Sequence, residues 1–417
     1  MNVWLLQTGE SLPSDPGVRV MRSALLARTL AARGHSVVWW ASAFDHSRKR
    51  FICETDSIFK DGEHVEIRCL KGCGYSRNLS LRRFLDHRIV ARRFARAARQ
   101  EPKPDVMIAS TPPHDAAYEA VRYGNEVGIP VILDIRDPWP DLFLDAFPKN
   151  LRPVARGILK GEFQLMERAC RGAAAIVAVT SSFLDLGLRY ARRDASSLDK
   201  VFHLGYERRI DWKRRPELVE DIRLKCQGRF VVLFIGAFCS SHDPRVLISA
   251  AERLQQSDVM FVIAGDGELY RAVARRARDL NNVILPGWLN QQEIDHLLGV
   301  ADVGVCSTSK LSDLFPNKAF LYLSAGLPVV SAFQGDLKDW IEREHIGFHF
   351  KYGDGADLAE RIRTLRSDPA LRGIMSANAR AVFERECRSS VIYDRYASHV
   401  EAVVSERGRE PVGAVVQ

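Results

Sequence analysis

The chain has 417 residues, of which 46% are hydrophobic and 27% charged, with a formal net charge of +8 at pH 7. This length and composition predict a globular protein of two or three domains and exclude a disordered or fibrous chain. No apolar run reaches the ~20 residues of a transmembrane helix, and the N-terminus does not resemble a secretory signal, so we expect a cytoplasmic protein.

The eight cysteines are scattered along the chain. Cys69 and Cys73 lack a matching second pair, so they give only weak support to a zinc site, and we expect a reducing compartment without disulfides. The positive charge is compatible with nucleic acid, an anionic membrane or phosphorylated substrates. Nucleic acid ranks last, because the sequence contains no recognisable nucleic-acid-binding motif.

The chain begins with a predicted strand at 3–7, a helix at 21–33 and a strand at 36–40. The loop between the first strand and the helix contains Gly17 and Arg19, and a glycine there permits close approach of a ligand to the backbone. His46 follows the second strand. Two interpretations of this histidine remain open, contact with a ligand at the strand's carboxyl end or a position in a solvated loop.

Residues 77–99 are dense in arginine and carry an apolar stripe. A basic amphipathic helix of this kind can lie on an anionic membrane, or it can be a surface helix whose arginines are solvated. The arginines are Arg77, Arg82, Arg83, Arg88, Arg92, Arg93, Arg96 and Arg99.

Two further buried strands are predicted at 106–110 and 131–135. His114 follows the first, and Arg136 and Asp137 follow the second, so we expect these side chains to meet at one edge of a parallel sheet. A carboxylate at this edge can accept a proton from a substrate hydroxyl. The alternative is that Asp137 caps the turn before Pro138.

A second series of strands and helices begins at 230–236, which ends in Gly236. The strand at 260–264 is followed by Gly265 and Gly267, but the dinucleotide-binding fingerprint requires a third glycine where Tyr270 stands, which argues against a dehydrogenase. We therefore predict an N-terminal domain at 1–206 that is completed by 389–417, a linker at 207–229 and a C-terminal domain at 230–388.

The stretch 302–331 is predicted to form a strand, a polar loop, a short helix and another strand. Pro316 suits the first helical turn, and Gly326 and Pro328 end the helix. A helix N-terminus at the carboxyl ends of parallel strands favours a diphosphate, and Lys318 adds a positive charge there.

This stretch resembles the donor-nucleotide motif of the retaining GT-B glycosyltransferases of family four, P-N-K-x-x-E-Y-x-A-x-G-x-P-V. The matching residues are Pro316, Asn317, Lys318, Tyr322, Ala325, Gly326, Pro328 and Val329. The family's glutamate, which is expected to accept hydrogen bonds from the ribose hydroxyls, falls at Leu321. Its acidic partner falls at Asp313. The resemblance covers nearly the whole chain.

The resemblance implies an α/β GT-B fold, with two doubly wound Rossmann-like domains facing across a cleft and a C-terminal helix that returns to the N-terminal domain. It implies catalytic roles for Asp137, His114 and Asp313, and acceptor-side roles for Arg19, His46 and Arg136. The implied donor-binding residues are Gly17, Gly236, Arg245, Gly265, Gly267, Gly287, Trp288, Phe315, Pro316, Asn317 and Lys318.

Two cations that the family often places after the first strand of the C-terminal domain are missing here. Arg245, Lys318 or an arginine of the N-terminal domain must then neutralise the leaving diphosphate. The sequence has no Asp-x-Asp pair that offers magnesium ligands, so we expect no metal and no other cofactor, with basic groups and helix dipoles in the metal's place.

The implied reaction is transfer of a hexosyl or N-acetylhexosaminyl group, with retention, from a nucleoside-diphosphate sugar, with UDP as the first expectation. The implied acceptor is a lipid-linked or glycan hydroxyl in bacterial surface polysaccharide or lipopolysaccharide synthesis, at the inner face of the plasma membrane. Two alternatives stay open, a sugar-nucleotide 2-epimerase of the same fold and a non-catalytic sugar-nucleotide-binding partner, because Leu321 and the missing cations weaken the expected site.

Overall fold

The structure is a computed structural model that describes residues 1–13, 20–78, 80–208, 216–239 and 241–407. The chain divides into two compact units. Unit 1 comprises Met1–His203 and Tyr393–Gln417, and unit 2 comprises Leu204–Ile392. The C-terminal helix therefore belongs largely to the first unit, as predicted from the sequence.

Unit 1 is built on a sheet whose strands are mostly continuous apolar runs. In chain order its elements are β1 (Asn2–Leu6), α1 (Arg22–Ala32), β2 (Ser36–Ser42), β3 (Phe44–Asp45), β4 (Arg50–Phe51), β5 (Ser57–Lys60), β6 (Val65–Leu70), α2 (Leu81–Ala97), β7 (Val106–Thr111), α3 (His114–Val127), β8 (Val131–Ile135), α4 (Arg152–Ile158), α5 (Lys160–Gly172), β9 (Ala175–Ala178), α6 (Ser181–Ala191) and β10 (Lys200–Val201). Short 3₁₀ turns lie at 98–100, 141–146 and 149–151.

The sheet of unit 1 has the strand order β10-β9-β8-β7-β1-β2-β6-β5. All neighbours pair in parallel except β5, which is antiparallel to β6. Every residue of β7 and β8 is buried, as expected for parallel strands that are covered on both faces. Because β1 pairs with β2 on one side and with β7 on the other, the chain changes direction across the sheet between β1 and β7.

Unit 2 contains a second, wholly parallel sheet with the order β13-β12-β11-β14-β15-β16. Its elements are α7 (Glu217–Lys225), β11 (Phe230–Ile235), α8 (Arg245–Arg253), β12 (Val259–Ala264), α9 (Tyr270–Ala277), β13 (Val283–Ile284), α10 (Gln291–Leu297), β14 (Val303–Cys306), α11 (Asn317–Ser324), β15 (Val329–Ser331), α12 (Asp336–Glu344), β16 (Gly347–His349), α13 (Gly355–Ser367), α14 (Pro369–Val382) and the first residues of α15 (Ser389–Arg407). The two doubly wound units confirm the predicted fold class.

A buried ion-pair network ties together three segments of unit 1. Asp134 of β8 is fully buried, and its carboxylate accepts from Nε and Nη2 of Arg22, both at 3.0 Å. Nε of Arg136 donates to the same carboxylate at 2.9 Å, and Arg136 also pairs with Glu10. Burial acts to raise the pKa of Asp134, but the two guanidinium groups outweigh it and hold the pKa below its ordinary value.

Candidate functional site

Helix α11 and the loops around it lie where ligands bind in open parallel sheets. The chain leaves β11 towards β12 and returns on the other side of β11 at β14, so the strand order reverses between β11 and β14. Ligands of open α/β sheets bind beyond the carboxyl ends of the strands at such a point. Gly236 follows β11, and α11 begins after the loop that follows β14.

Lys318, the second residue of α11, has a buried amine that no described carboxylate contacts. The residue is only 5% exposed, and its Nζ has no hydrogen-bond partner among the described residues. A Cβ placed on Gly236 would lie 2.9 Å from Nζ, so the amine lies against the loop after β11. Burial lowers the pKa of Lys318 to about 8. An unpaired buried cation is costly, which is typical of a group that waits for an anion.

Tyr322 anchors α11 to the sheet at the carboxyl ends of β11 and β14. Its ring is fully buried, its hydroxyl donates to the carbonyl of Val305 at 3.3 Å, and it accepts from the N–H of Ile235 at 3.1 Å. The tyrosine therefore joins the carboxyl ends of β11 and β14. A Cβ at Gly304 would lie 2.2 Å from the Tyr322 ring, so only glycine leaves room for the helix at this distance.

The glycines predicted to contact the donor lie in the neighbouring loops. Gly265 follows β12, and a Cβ there would lie 1.9 Å from the carbonyl oxygen of Gly236. The contact between the two loops therefore accounts for glycine at 265. Gly267 follows in the same loop, with its notional Cβ 2.7 Å from the carbonyl oxygen of Phe238. After β13, Gly287 has φ +80° and Trp288 is 72% exposed.

Arg245 is already engaged by a carboxylate. Its Nη2 donates to Asp243 at 2.6 Å and its Nε to the same carboxylate at 3.0 Å. Arg245 and Lys318 were both considered for the leaving diphosphate. Only Arg245 forms an ion pair with a carboxylate among the described residues. His242 was missed in the sequence analysis. Burial first and the Lys318 charge second lower the pKa of His242 to about 4, and its Nδ1 is buried without a described partner.

The residues around the start of α11 divide into packing and exposed positions. Phe315 is 8% exposed and stacks on Phe320 at 4.7 Å, so it packs in the core and does not fit the predicted contact with the donor. Leu321 is likewise buried at 8% exposure. Asp313 and Asn317 are exposed, and Pro316 precedes the helix with an extended backbone.

In unit 1, Asp137 follows β8 and is exposed. The surrounding protein still removes enough water from the carboxyl to raise its pKa to about 6, and Arg136 and Arg83 oppose part of this shift. No described backbone group donates to its side chain, so the alternative that it caps the turn before Pro138 gains no support. Arg136 does not fit its predicted acceptor-side role, because its guanidinium is held by Asp134 and Glu10.

His114 does not fit a direct contact with the acceptor either. The residue is fully buried, and its Nε2 lies 2.6 Å from Oε2 of Glu162. Glu162 also accepts from Nη2 of Arg88 at 2.7 Å, and Nε of Arg88 lies 3.4 Å from Asp115. His114, Asp115 and Glu162 have the residue types of a metal site. The guanidinium beside both carboxylates supplies the positive charge instead, so we assign this cluster to structure.

His46 lies in an aromatic and basic environment. Its Nδ1 forms a hydrogen bond of 2.5 Å with the hydroxyl of Tyr75. Burial, and then the charges of Arg83 and Lys49, lower the pKa of His46 to about 4, so the imidazole is neutral. Tyr75 and Arg83 were not singled out as site residues in the sequence analysis. Gly17 and Arg19, which were predicted to border the ligands, lie outside the described residues.

The structure assigns protein partners to much of the arginine-dense stretch 77–99. Arg82 donates to the carbonyls of Gly74 and Cys73, Arg88 contacts Glu162, Arg93 pairs with Asp56 and Arg99 pairs with Glu126. These four of the eight arginines therefore have protein partners, and the two interpretations of the stretch, an anionic-membrane surface and a solvated surface helix, both remain predictions. Within the described part of the chain, no helix is both long and apolar enough to cross a membrane.

Comparison with known proteins places these features in a family context. Residues 17–196 match the model of the "Glycosyl transferase 4-like domain", and residues 229–368 match that of "Glycosyl transferases group 1". The sulfoquinovosyl transferase SQD2 of Arabidopsis thaliana is 24% identical over 294 residues, which cover 68% of this chain and 54% of the relative.

The lipopolysaccharide core biosynthesis glycosyltransferase LpsD of Rhizobium meliloti (strain 1021) is 25% identical over 217 residues, covering 48% of this chain and 61% of the relative. The chain thus spans less than two thirds of either curated relative. The crystal structure of Anabaena Alr3699/HepE with UDP has a TM-score of 0.68 at 17% identity, covering 96% of this chain and 99% of that one. The chain therefore has the GT-B glycosyltransferase fold, with one glycosyltransferase domain match in each half.

Proposed function

We propose that this protein is a retaining glycosyltransferase of family four that transfers a sugar from a UDP-sugar to a hydroxyl of a lipid-linked or glycan acceptor. The observation that carries the proposal is the amine of Lys318, which is buried beside Gly236 with no hydrogen-bond partner in the part of the chain that the structure describes. It lies where an open parallel sheet binds its ligand.

The chemistry of sugar transfer requires this kind of group. Negative charge develops on the diphosphate as the glycosidic bond breaks, and a preorganised cation that is shielded from water stabilises that charge strongly. Lys318 and the free N–H groups at the start of α11 supply the stabilisation in the proposal, without a metal. UDP is the favoured nucleotide because Anabaena HepE, which has a similar fold, is described in complexes with UDP and with UDP-glucose.

The acceptor side of the proposal rests on Asp137. With a pKa near 6, its carboxyl is mostly ionised at neutral pH and can accept a proton from the acceptor hydroxyl. A role in lipopolysaccharide or another surface polysaccharide is supported by the similarity to LpsD. On this proposal the protein works in the cytoplasm, at the inner face of the plasma membrane.

The test is an incubation of the protein with UDP-[¹⁴C]glucose or UDP-N-acetyl[¹⁴C]glucosamine and a bacterial lipid extract. Labelled lipid with the α-anomeric configuration of the donor supports the proposal. An isomerised nucleotide sugar without labelled lipid identifies an epimerase instead. Binding of UDP without either product identifies a non-catalytic binding protein. Lys318→Ala serves as the negative control in each assay.

A further inference from the structure

Unit 1 carries an apolar groove that none of the roles assigned above explains. It has a volume of about 300 Å³ and lies between the start of α2 and the segment that ends with α4. Its lining residues are Ser80, Leu81, Phe84, Phe143, Phe147, Ala155, Ile158 and Leu159. Leu81 is 87% exposed and Ile158 77% exposed at the rim. Large aliphatic side chains grouped in this way on a surface mark a binding site.

A row of aromatic rings connects the groove to a guanidinium group. The ring of Phe84 lies 5.3 Å from that of Phe143, and the ring of Phe143 lies 4.4 Å from that of Trp139. The guanidinium carbon of Arg83 lies 4.5 Å from the centroid of the Trp139 ring. The buried ring of Trp139 therefore lies between Phe143, which lines the apolar groove, and the guanidinium of Arg83.

Arg83 has no ion pair with a described carboxylate and, unlike the exposed Arg82 and Arg92 of the same helix, it is half-buried against aromatic rings. Its Nη1 donates to the carbonyl of Asn78 at 2.8 Å, and the Tyr75 side chain is a second hydrogen-bond partner. The buried Nε has no partner among the described residues. Arg88 and Arg93, on the same helix, each pair with a carboxylate. Asp137 acts on the Arg83 charge only at a distance. The guanidinium thus keeps donors for an external anion.

Lys49 places a second positive charge beside the ring of Tyr75, which the guanidinium of Arg83 also faces. Its Nζ lies 5.0 Å from the centroid of the Tyr75 ring, and Arg83 lies 5.6 Å from that centroid. The hydrogen bonds of Lys49 go to neutral groups, the carbonyl of His46 and the side chain of Asn78, both at 2.5 Å. Two cations that have no ion pair among the described residues therefore lie beside the ring of Tyr75.

We propose that the groove and Arg83 together bind an anionic lipid, with a phosphate of the lipid on Arg83 and its hydrocarbon chain in the groove, as the lipid-linked acceptor of the reaction. The inference rests on the proposed function and names the acceptor's chemical class. An apolar groove alone would equally suit a protein partner. The guanidinium beside Trp139 favours an amphiphile with one negatively charged end, because charge complementarity is then satisfied together with burial of the chain.

Calorimetric titration with decyl phosphate, decanol and inorganic phosphate, below the aggregation limit of the lipid, tests this proposal. The wild type is expected to bind decyl phosphate at least about tenfold more tightly than either of the other two, since each lacks one of the two recognised parts. Arg83→Gln should remove most of the advantage over decanol, and Arg83→Lys should retain part of it. The double variant Leu81→Ser, Ile158→Ser should remove most of the advantage over inorganic phosphate.

Two matched controls accompany these variants. Arg92→Gln changes an exposed arginine of the same helix, and Ile374→Ser changes an exposed apolar residue of unit 2 that is 59% accessible. Both should leave the three affinities unchanged. Equal affinity of the wild type for decyl phosphate and inorganic phosphate overturns the proposal, and so does unchanged binding of decyl phosphate by Arg83→Gln.

Vesicles containing phosphatidylglycerol distinguish a specific lipid site from general attraction to a membrane. If Arg83→Gln and Arg92→Gln weaken vesicle binding equally while neither affects decyl phosphate, the surface is a general membrane contact and the specific site is rejected. UDP is titrated into the same samples. If the wild type binds UDP but not decyl phosphate, the lipid site alone is rejected. If the wild type does not bind UDP, the proposed function is rejected.

Discussion

The amine of Lys318 lies 3.7 Å from the centroid of the Phe234 ring. Phe234 belongs to β11 and Lys318 to α11, so the contact fixes the direction of the lysine side chain towards the strand end. A cation over an aromatic face gains roughly 2 kcal/mol when both are shielded from water. This gain offsets only part of the cost of burying the charge, and an anionic ligand would supply the rest.

Lys318→Ala should lower the turnover of sugar transfer by at least about tenfold, since a charge-assisted hydrogen bond contributes roughly 1.5–3 kcal/mol. The measurement is steady-state transfer from a UDP-sugar, with circular dichroism to establish that the variant is folded. Lys338→Ala, a lysine of α12 paired with Glu342, is the matched control and should have wild-type kinetics. Unchanged turnover in a folded Lys318→Ala protein would remove Lys318 from the site.

The affinity for UDP should depend on pH through Lys318. The amine, with a pKa of about 8, is charged below that value and neutral above it, so binding of the diphosphate is strongest below pH 8 and weakens as the pH rises. Between pH 7 and pH 9.5 we expect a loss of about tenfold or more. Calorimetry across this range measures it, with Lys318→Ala expected to be weak and insensitive to pH. A flat wild-type profile would contradict the assignment.

Leu321 should make the protein tolerant of a missing ribose hydroxyl. A leucine accepts no hydrogen bonds, and an apolar wall does not reject an analogue that lacks a hydroxyl. UDP and dUDP should bind within about fivefold of each other, a difference of roughly 1 kcal/mol. Leu321→Glu should widen the preference for UDP, while Leu321→Met keeps the packing and should not. A wild-type preference of about a hundredfold would show that another group recognises the ribose.

Asp137 should set the acidic limb of the pH profile. Its carboxyl can accept a proton only when ionised, so transfer should fall as the pH decreases through about 6. Asp137→Asn should reduce kcat by about 10²-fold or more and abolish that limb. Asp141→Asn, which removes another carboxylate four residues later in the chain, is the control. A persistent inflection near pH 6 in Asp137→Asn would assign the titration to another group.

The fold was predictable because its signals are local. Most strands of the two sheets are short apolar runs, such as Phe230–Ile235. Helix α11 begins directly after Pro316 and ends two residues before Gly326, close to the limits that these two residues predicted. The position of Lys318 followed from the same signals, since a residue in the first turn of a helix after a parallel strand can only lie at the carboxyl edge of the sheet.

The directions of other polar side chains were not predictable, because their partners are distant in sequence. Arg136 turns inward to a carboxylate two residues away and to Glu10, which is 126 residues away. The buried His114 forms a hydrogen bond with Glu162, which is 48 residues further along the chain. Arg83 was one of eight arginines in the sequence pattern, and only its three-dimensional contacts with the rings of Tyr75 and Trp139 distinguish it from the others.

Gly304 lies beneath α11 and determines how closely this helix of the candidate site packs on the sheet. Because the ring of Tyr322 fills the space above this glycine, the height of α11 over the sheet is set from beneath by the smallest residue in β14. A larger residue at position 304 therefore requires a smaller one at position 322 or a displaced helix. An engineer who exchanges α11 between related enzymes to alter donor preference must transfer the strand position as well, or the new helix will not sit at the height of the old one.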